Sequence, residues 1–406
     1  MQLTRVTCYR LTLALTAGLV PARLLALPFE INEDFRGAWN NTIVAGASIR
    51  AKDPDKQLVG FNNAPEYAGA KGAVSVADDG NLNYHKGDVI SAPLIYTTDL
   101  ELRYRNQYGV FGKLKSWYDY AGEHREVPHG SIANGYQPNQ TLDDSDYYDY
   151  NKFSGYQVLD LYTYGNWDIG DARFTGRIGK QSINWGESLL HVGINAFNPL
   201  NFTALGRPVL RQDEALVPVN RLYGNLITRN GVSIEAFYAL DWTASQIPAC
   251  ATIAQAIDDV VDPGCDAATG AAPYTDQQQV TIGGPLITPR TEQSKPGSSG
   301  QYGLSSRYFV ESLDTEFGLY FVNYHATIPV LDLTLCNKNG QPCSSQNGFG
   351  LPLKYHEDVQ AMAISAASGV RSRCSSWACC CSVAHRRPRC RVATWRPTWP
   401  RPRSRT

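Results

Sequence analysis

Three features of the sequence predict an all-β fold, a transmembrane antiparallel β-barrel. They are long runs of period-two alternation, connections that alternate strictly between long and short, and 23 Tyr and 8 Trp against 2 Met. About ten strands are readable from the alternation, so the barrel reads as incomplete, with long external loops and short periplasmic turns. Moderate charge and 35 Gly suit strands and tight turns better than helix bundles.

The chain divides into three parts. Residues 1–26 read as a signal peptide, because Arg5 and Arg10 precede the apolar stretch Leu11 to Val20 and Ala22 and Ala26 offer cleavage points. That stretch falls short of the roughly 20 residues a spanning helix needs. Residues 27–366 read as a truncated outer-membrane barrel. Residues 367–406 read as a disordered, out-of-frame tail: from Arg371 to Thr406 there is no Asp, Glu, Lys, Asn, Gln, Gly, Ile, Leu, Phe or Tyr, so nothing there can form a core. A frameshift after Ser365 would account for it.

Within the barrel, the first strand is expected at Phe35 to Arg50, and the second shows the alternation best. Ile90, Ala92, Leu94, Tyr96, Thr98, Leu100, Leu102 and Tyr104 take one face, while Ser91, Thr97, Asp99, Glu101, Arg103 and Arg105 take the other. A run of about 15 residues is nearer a tilted membrane strand than a sandwich strand. Similar runs follow at Tyr108 to Tyr120, Tyr156 to Asn166, Ala172 to Ile183, Val219 to Thr228 and Val232 to Trp242. The last three lie at Gln301 to Phe309, Thr315 to His325 and Val359 to Ser365. Tyr104, Tyr108, Trp117, Tyr118, Tyr164, Trp167 and Trp242 stand near strand ends, where amphipathic rings suit lipid interfaces.

Long connections are expected at Ala51 to Asp88, Ala121 to Gly155, Asn184 to Pro218, Thr243 to Gly300 and Ala326 to Asp358. Tight turns separate them at Asn106-Gln107, Asp168 to Asp171, Arg229 to Gly231 and Val310 to Asp314. A sandwich would mix its lengths; a barrel puts all long loops at one end. Closure also pairs every backbone group, which lipid demands. Cys250 with Cys265 and Cys336 with Cys343 each fall inside one expected external loop, candidates for local disulfides in an oxidising compartment.

Formal charge is −1 over the whole chain; setting aside thirteen Arg in the first 26 residues and the tail from Arg371 leaves −14. An acidic body argues against a nucleic-acid partner. No Gly-x-Ser-x-Gly elbow, His-Glu-x-x-His pair or phosphate-binding loop occurs, so no enzyme activity and no cofactor are expected. Asp143, Asp144, Asp146 and Asp149 form an acidic cluster that is a weak calcium candidate, against the plainer reading of a solvated loop. It lacks the Gly and distal Glu of a twelve-residue calcium loop.

Five stretches together carry a family resemblance: Asp79-Gly-Asn-Leu-Asn-Tyr-His-Lys-Gly-Asp88, Tyr164-Gly-Asn-Trp-Asp-Ile-Gly-Asp171, Gly179-Lys-Gln-Ser-Ile-Asn-Trp-Gly-Glu-Ser188, Gly193-Ile-Asn-Ala-Phe-Asn-Pro199 and Glu235-Ala-Phe-Tyr-Ala-Leu-Asp-Trp242. The chain resembles, from Phe29 to Ser365, the Gram-negative family catalogued as domain of unknown function 1302. The resemblance implies an outer-membrane barrel, porin-like, for uptake or export of small, hydrophobic compounds, with no catalytic residues to carry over. Implied partners are outer-membrane lipid and lipopolysaccharide, a small-molecule permeant and the barrel-assembly machinery. A further likeness to general porins, whose third loop narrows the pore, makes the segment Asn184 to Pro218 a candidate constriction loop. Its charged residues are Glu187, His191, Arg207, Arg211, Asp213 and Glu214, an electrostatic filter or else merely a solvated loop. Two alternatives stay open: a surface adhesin or structural barrel using the loop Thr243 to Gly300, and an outer-membrane hydrolase assembled from different strands.

Overall fold

The computed structural model describes residues 22–73, 78–131, 134–185, 194–208, 214–253, 263–265, 267–269, 273–283, 286–290, 293–331, 334–335, 349–350 and 353–368. Its centre is one antiparallel sheet of eleven strands that pair in chain order. They are β1 (Ala22–Glu30), β2 (Phe35–Ala45), β3 (Pro93–Tyr104), β4 (Tyr108–Asp119), β5 (Ser154–Ile169), β6 (Ala172–Gln181), β7 (Val219–Ile227), β8 (Val232–Ala239), β9 (Tyr302–Val310), β10 (Thr315–Tyr324) and β11 (Val359–Ser368). The sheet is not closed: β1 and β11 form its two edges. The fold is all-β as expected, with one strand more than the alternation suggested. The addition is β1, which begins at Ala22, inside the span read as export signal, and pairs Phe29 with Gly37 and Glu30 with Arg36 on β2.

The connections alternate as the sequence implied. Residues 31–34, 105–107, 170–171, 228–231 and 311–314 turn the chain at one end of the sheet; residues 46–92, 120–153, 182–218, 240–301 and 325–358 join strands at the other. Local chemistry sets the short turns. Arg105 and Asn106 both take positive φ, 49° and 53°, and the Gln107 amide donates to the Tyr104 carbonyl at 3.0 Å. That is the type I′ geometry whose twist matches paired strands.

Alternation gives the sheet two chemically opposite faces. On β4, Lys113, Lys115, Trp117 and Asp119 are buried on one face while Tyr108, Val110, Leu114 and Tyr118 are exposed on the other. The exposed face is apolar across the sheet: Leu100, Leu161, Ile178, Leu222, Leu304, Leu319 and Ile364 lie in its middle band. Rings flank that band at both ends. Phe35, Tyr108, Trp167, Tyr308 and Phe317 are exposed near the short turns; Tyr118, Tyr156, Tyr238 and Tyr302 are exposed near the long connections. Phe35 packs on Tyr104 at 4.8 Å between centroids and Tyr108 on Trp167 at 5.8 Å. Two of the rings expected there point inward instead: Trp117 is buried, and Tyr164 donates to Glu101 at 2.6 Å. The parity explains it, because Tyr118 and Gly165 already hold the outward positions. Trp242 lies beyond β8 and packs on Tyr355 at 4.7 Å.

The long connections fold together into a cap with its own small cores. Tyr84, Val127, Leu142 and Ala251, from three connections, bury one another, and Tyr147, Ala249, Cys250 and Cys265 form a second cluster. Asn83 is fully buried at the junction, donating to the carbonyls of Gly130 (2.8 Å) and Ala251 (3.1 Å) and accepting from the amides of His129 and Gly130. Buried backbone groups of two loops are thus satisfied by one side chain from a third. Cys250 and Cys265 form a disulfide across a sequence separation of 15; Cys336 and Cys343 lie outside the described residues.

Replacing both Cys250 and Cys265 by Ser is expected to weaken the cap by about 3 kcal/mol, the chain-entropy value for a loop of about 15 residues. Faster proteolysis within 240–301, with the strand circular-dichroism signal unchanged, is the expected result.

Candidate functional site

The inner face carries the polar side chains, and the connection 182–218 packs against it. Trp185 is 1% exposed and meets the rings of Phe197 at 5.0 Å, Phe237 at 5.6 Å and Tyr320 at 5.7 Å. With Ile183, Ile194 and Val322 these residues form one buried cluster that joins the segment to β8 and β10. Gly303 on β9 makes the contact possible, since a Cβ there would stand 2.4 Å from Phe237 and 2.7 Å from Trp185.

Polar anchoring repeats the pattern. Arg221 on β7 is 1% exposed, and its guanidinium donates to Asn198 Oδ1 (2.7 Å) and to the Phe197 carbonyl (3.1 Å) while lying over the rings of Phe197 and Phe237. Asn198 in turn donates to the Ile183 carbonyl at 2.7 Å. A short helix, Phe202–Gly206, starts where Asn201 accepts from the Ala204 amide. Beyond it, the Arg207 guanidinium donates to the Tyr150 carbonyl at 3.0 Å and stacks over Trp117. Burial lowers the pKa of Arg207, against the charges of Asp119 and Glu214, which raise it.

Of the six candidate constriction residues, two are placed. Glu214 forms a buried ion pair with Lys115 of β4, each side chain 4% exposed, and Arg207 sits beside the same strand. Glu187, His191, Arg211 and Asp213 lie outside the described residues. The four aspartates suggested for calcium do not converge: Asp143, Asp146 and Asp149 are exposed, and Asp144 accepts from the Phe153 amide at 2.7 Å. Among the described residues, the metal-ligating types that do converge are Asp79, His129 and Asp276.

Toward the short turns the inner wall is open. A recess of about 390 Å³ is lined by Glu101, Arg103, Asn106, Tyr162, Tyr164, Asn166, Thr175 and Arg177. Glu101 pairs with Arg103 at 2.6 Å, and Arg177 stacks on Tyr162 (5.7 Å) and Tyr223 (4.7 Å). Arg307 pairs with Glu235, which also accepts from Tyr223 at 2.9 Å. Glu101 and Arg103 fall on the polar face that alternation predicts for β3, whereas Arg177, Tyr223, Glu235 and Arg307 stand on β6, β7, β8 and β9 with no role expected of them from the sequence. Such a wall offers hydrogen-bond and charge partners to polar groups.

Changing Glu214 to Gln removes the carboxylate facing a buried Lys115. The expected cost is on the order of 3 kcal/mol, read as a lower urea midpoint for proteolysis of residues 194–218. The pair Lys115→Met with Glu214→Leu should recover most of it.

No curated protein and no solved structure matches the chain. A family model described as protein of unknown function (DUF1302) matches residues 7–387, a span that contains all eleven strands and the inserted segment, and the chain belongs to that family.

Proposed function

We propose that this is an outer-membrane, porin-like protein that passes small solutes along its polar inner wall, with the segment 182–218 as the constriction. One observation carries the reading: the sheet is apolar and exposed outside, polar and buried inside, with aromatic rings bordering the apolar band at both ends. Each large apolar side chain gains roughly 1.5–3 kcal/mol on leaving water, so a face this extensive is untenable in water and matches lipid. No helix among the described residues is long and apolar enough to cross a membrane. The long connections then lie outside and the short turns in the periplasm. Arg103, Arg177 and Glu101 would meet the permeant first on the turn side, Arg207 and the Lys115–Glu214 pair at the constriction.

Reconstituted in planar bilayers, the protein is expected to give discrete conductance steps, and Arg177→Glu is expected to shift the reversal potential in a salt gradient toward cation preference. Silence of the folded protein in bilayers would remove the channel reading.

The lipid reading has its own check. Leu319→Arg on the outer face is expected to cost about 2–4 kcal/mol in vesicle refolding. A surface wetted by water would register under about 0.5 kcal/mol.

A further inference from the structure

The cap holds a cluster of titratable groups that the inner wall does not use. His129, from the connection 120–153, is 5% exposed; its Nδ1 stands 2.6 Å from Glu66 Oε2 and its Nε2 3.1 Å from Asp79 Oδ1. Glu66 and Asp79 come from the connection 46–92, and Asp276, 1% exposed, comes from 240–301. One ligand atom from each of Asp79, His129 and Asp276 lies within 4.8 Å of the other two. A fourth carboxylate adjoins them. The Asn63 amide nitrogen donates both to Asp78 Oδ2 (3.0 Å) and to Asp276 Oδ2 (2.5 Å), so the two carboxylates share a wall. Asp78 is 2% exposed, and its Oδ1 is buried with no hydrogen-bond partner.

We propose that Asp79, His129 and Asp276 bind one first-row divalent cation, zinc or manganese, with Asp78 supplying a further oxygen, and that this ion ties three of the long connections together. Several observations converge on it. Asp78, Asp79 and Asp276 bring three buried carboxylates to one imidazole, with the solvent-reaching Glu66 on its other side, and buried charge of one sign calls for a counter-ion.

The imidazole is oriented as a ligand. With Nδ1 donating to Glu66, Nε2 faces Asp79, the carboxylate–histidine arrangement that fixes ring and tautomer at metal sites. Tetrahedral ligands of an ion held at roughly 2.0–2.2 Å stand about 3.3–3.6 Å apart, so a pair at the 4.8 Å limit needs to close by about 1.5 Å at most. Mixed imidazole and carboxylate donors suit zinc or manganese; calcium asks for six to eight oxygens.

The test uses the full chain, purified in detergent, stripped with a chelator and titrated with Zn²⁺ and separately with Mn²⁺ by calorimetry. Expected are one ion per chain, slower proteolysis of the three connections once it is bound, and binding at least about tenfold weaker in His129→Gln and Asp276→Asn. Failure of the stripped native chain to take up either ion overturns the proposal, as does uptake of calcium alone. Undiminished binding by both variants also overturns it. Should the variants misfold, the native titration and its protection from protease decide. The site stands apart from the channel reading: a metal-binding chain that does not conduct would keep it.

Discussion

The structure depends on one constraint, that side chains along a strand must alternate between two faces while the backbone ladder holds all eleven strands in register. Most strands therefore contribute to an apolar outer face and a polar inner one, whereas on β10 and β11 the inner positions are Tyr320, Val322, Ala361 and Ala363, against which the insert packs. The polar face cannot be left as a set of buried charges, and the chain answers from within. The segment between β6 and β7 brings Glu214 to Lys115 and the carbonyl of Phe197 to Arg221, and it covers the remaining apolar positions with Trp185 and Phe197.

Cap and inner segment are one construction. The amide of Phe202 donates to the Gln246 carbonyl and that of Gln246 to the Leu200 carbonyl, at 2.8 and 2.7 Å. Thr203 reaches Asn151, and Arg207 reaches the Tyr150 carbonyl. The inserted segment is thus held by the second and fourth long connections as well as by the wall. The loop Thr243 to Gly300, rich in Gln, Gly, Pro and Thr, is in its described parts bound into this assembly.

The sheet was largely legible because its signal is local: two residues out of phase change faces, and connection length needs no tertiary knowledge. The strand β1 is masked in the sequence because it contains Ala22 and Ala26, which read as cleavage points of the export signal that Arg5, Arg10 and Leu11 to Val20 suggest. Trp117 and Tyr164 were misplaced by weighing residue type over parity; Tyr118 and Gly165 already occupied the outward positions. The site was legible only where one segment carried it. Arg207 and Glu214 came from a single loop and were found, whereas Lys115 and Arg221 are cations opposed to partners far along the chain. Asp79, His129 and Asp276 sit in three different connections with no spacing rule to link them, and only the folded cap brings them together.

Gly303 shows how tightly wall and insert are matched. The indole of Trp185 occupies the volume a side chain would claim at that point of β9, so the two positions form a socket and its stopper. Evolutionary drift at one is therefore chained to the other: a bulkier residue in the socket survives only beside a slimmer stopper or a trimmed Phe237, and such paired exchanges are where the seating of the insert on the wall can change without rebuilding the sheet.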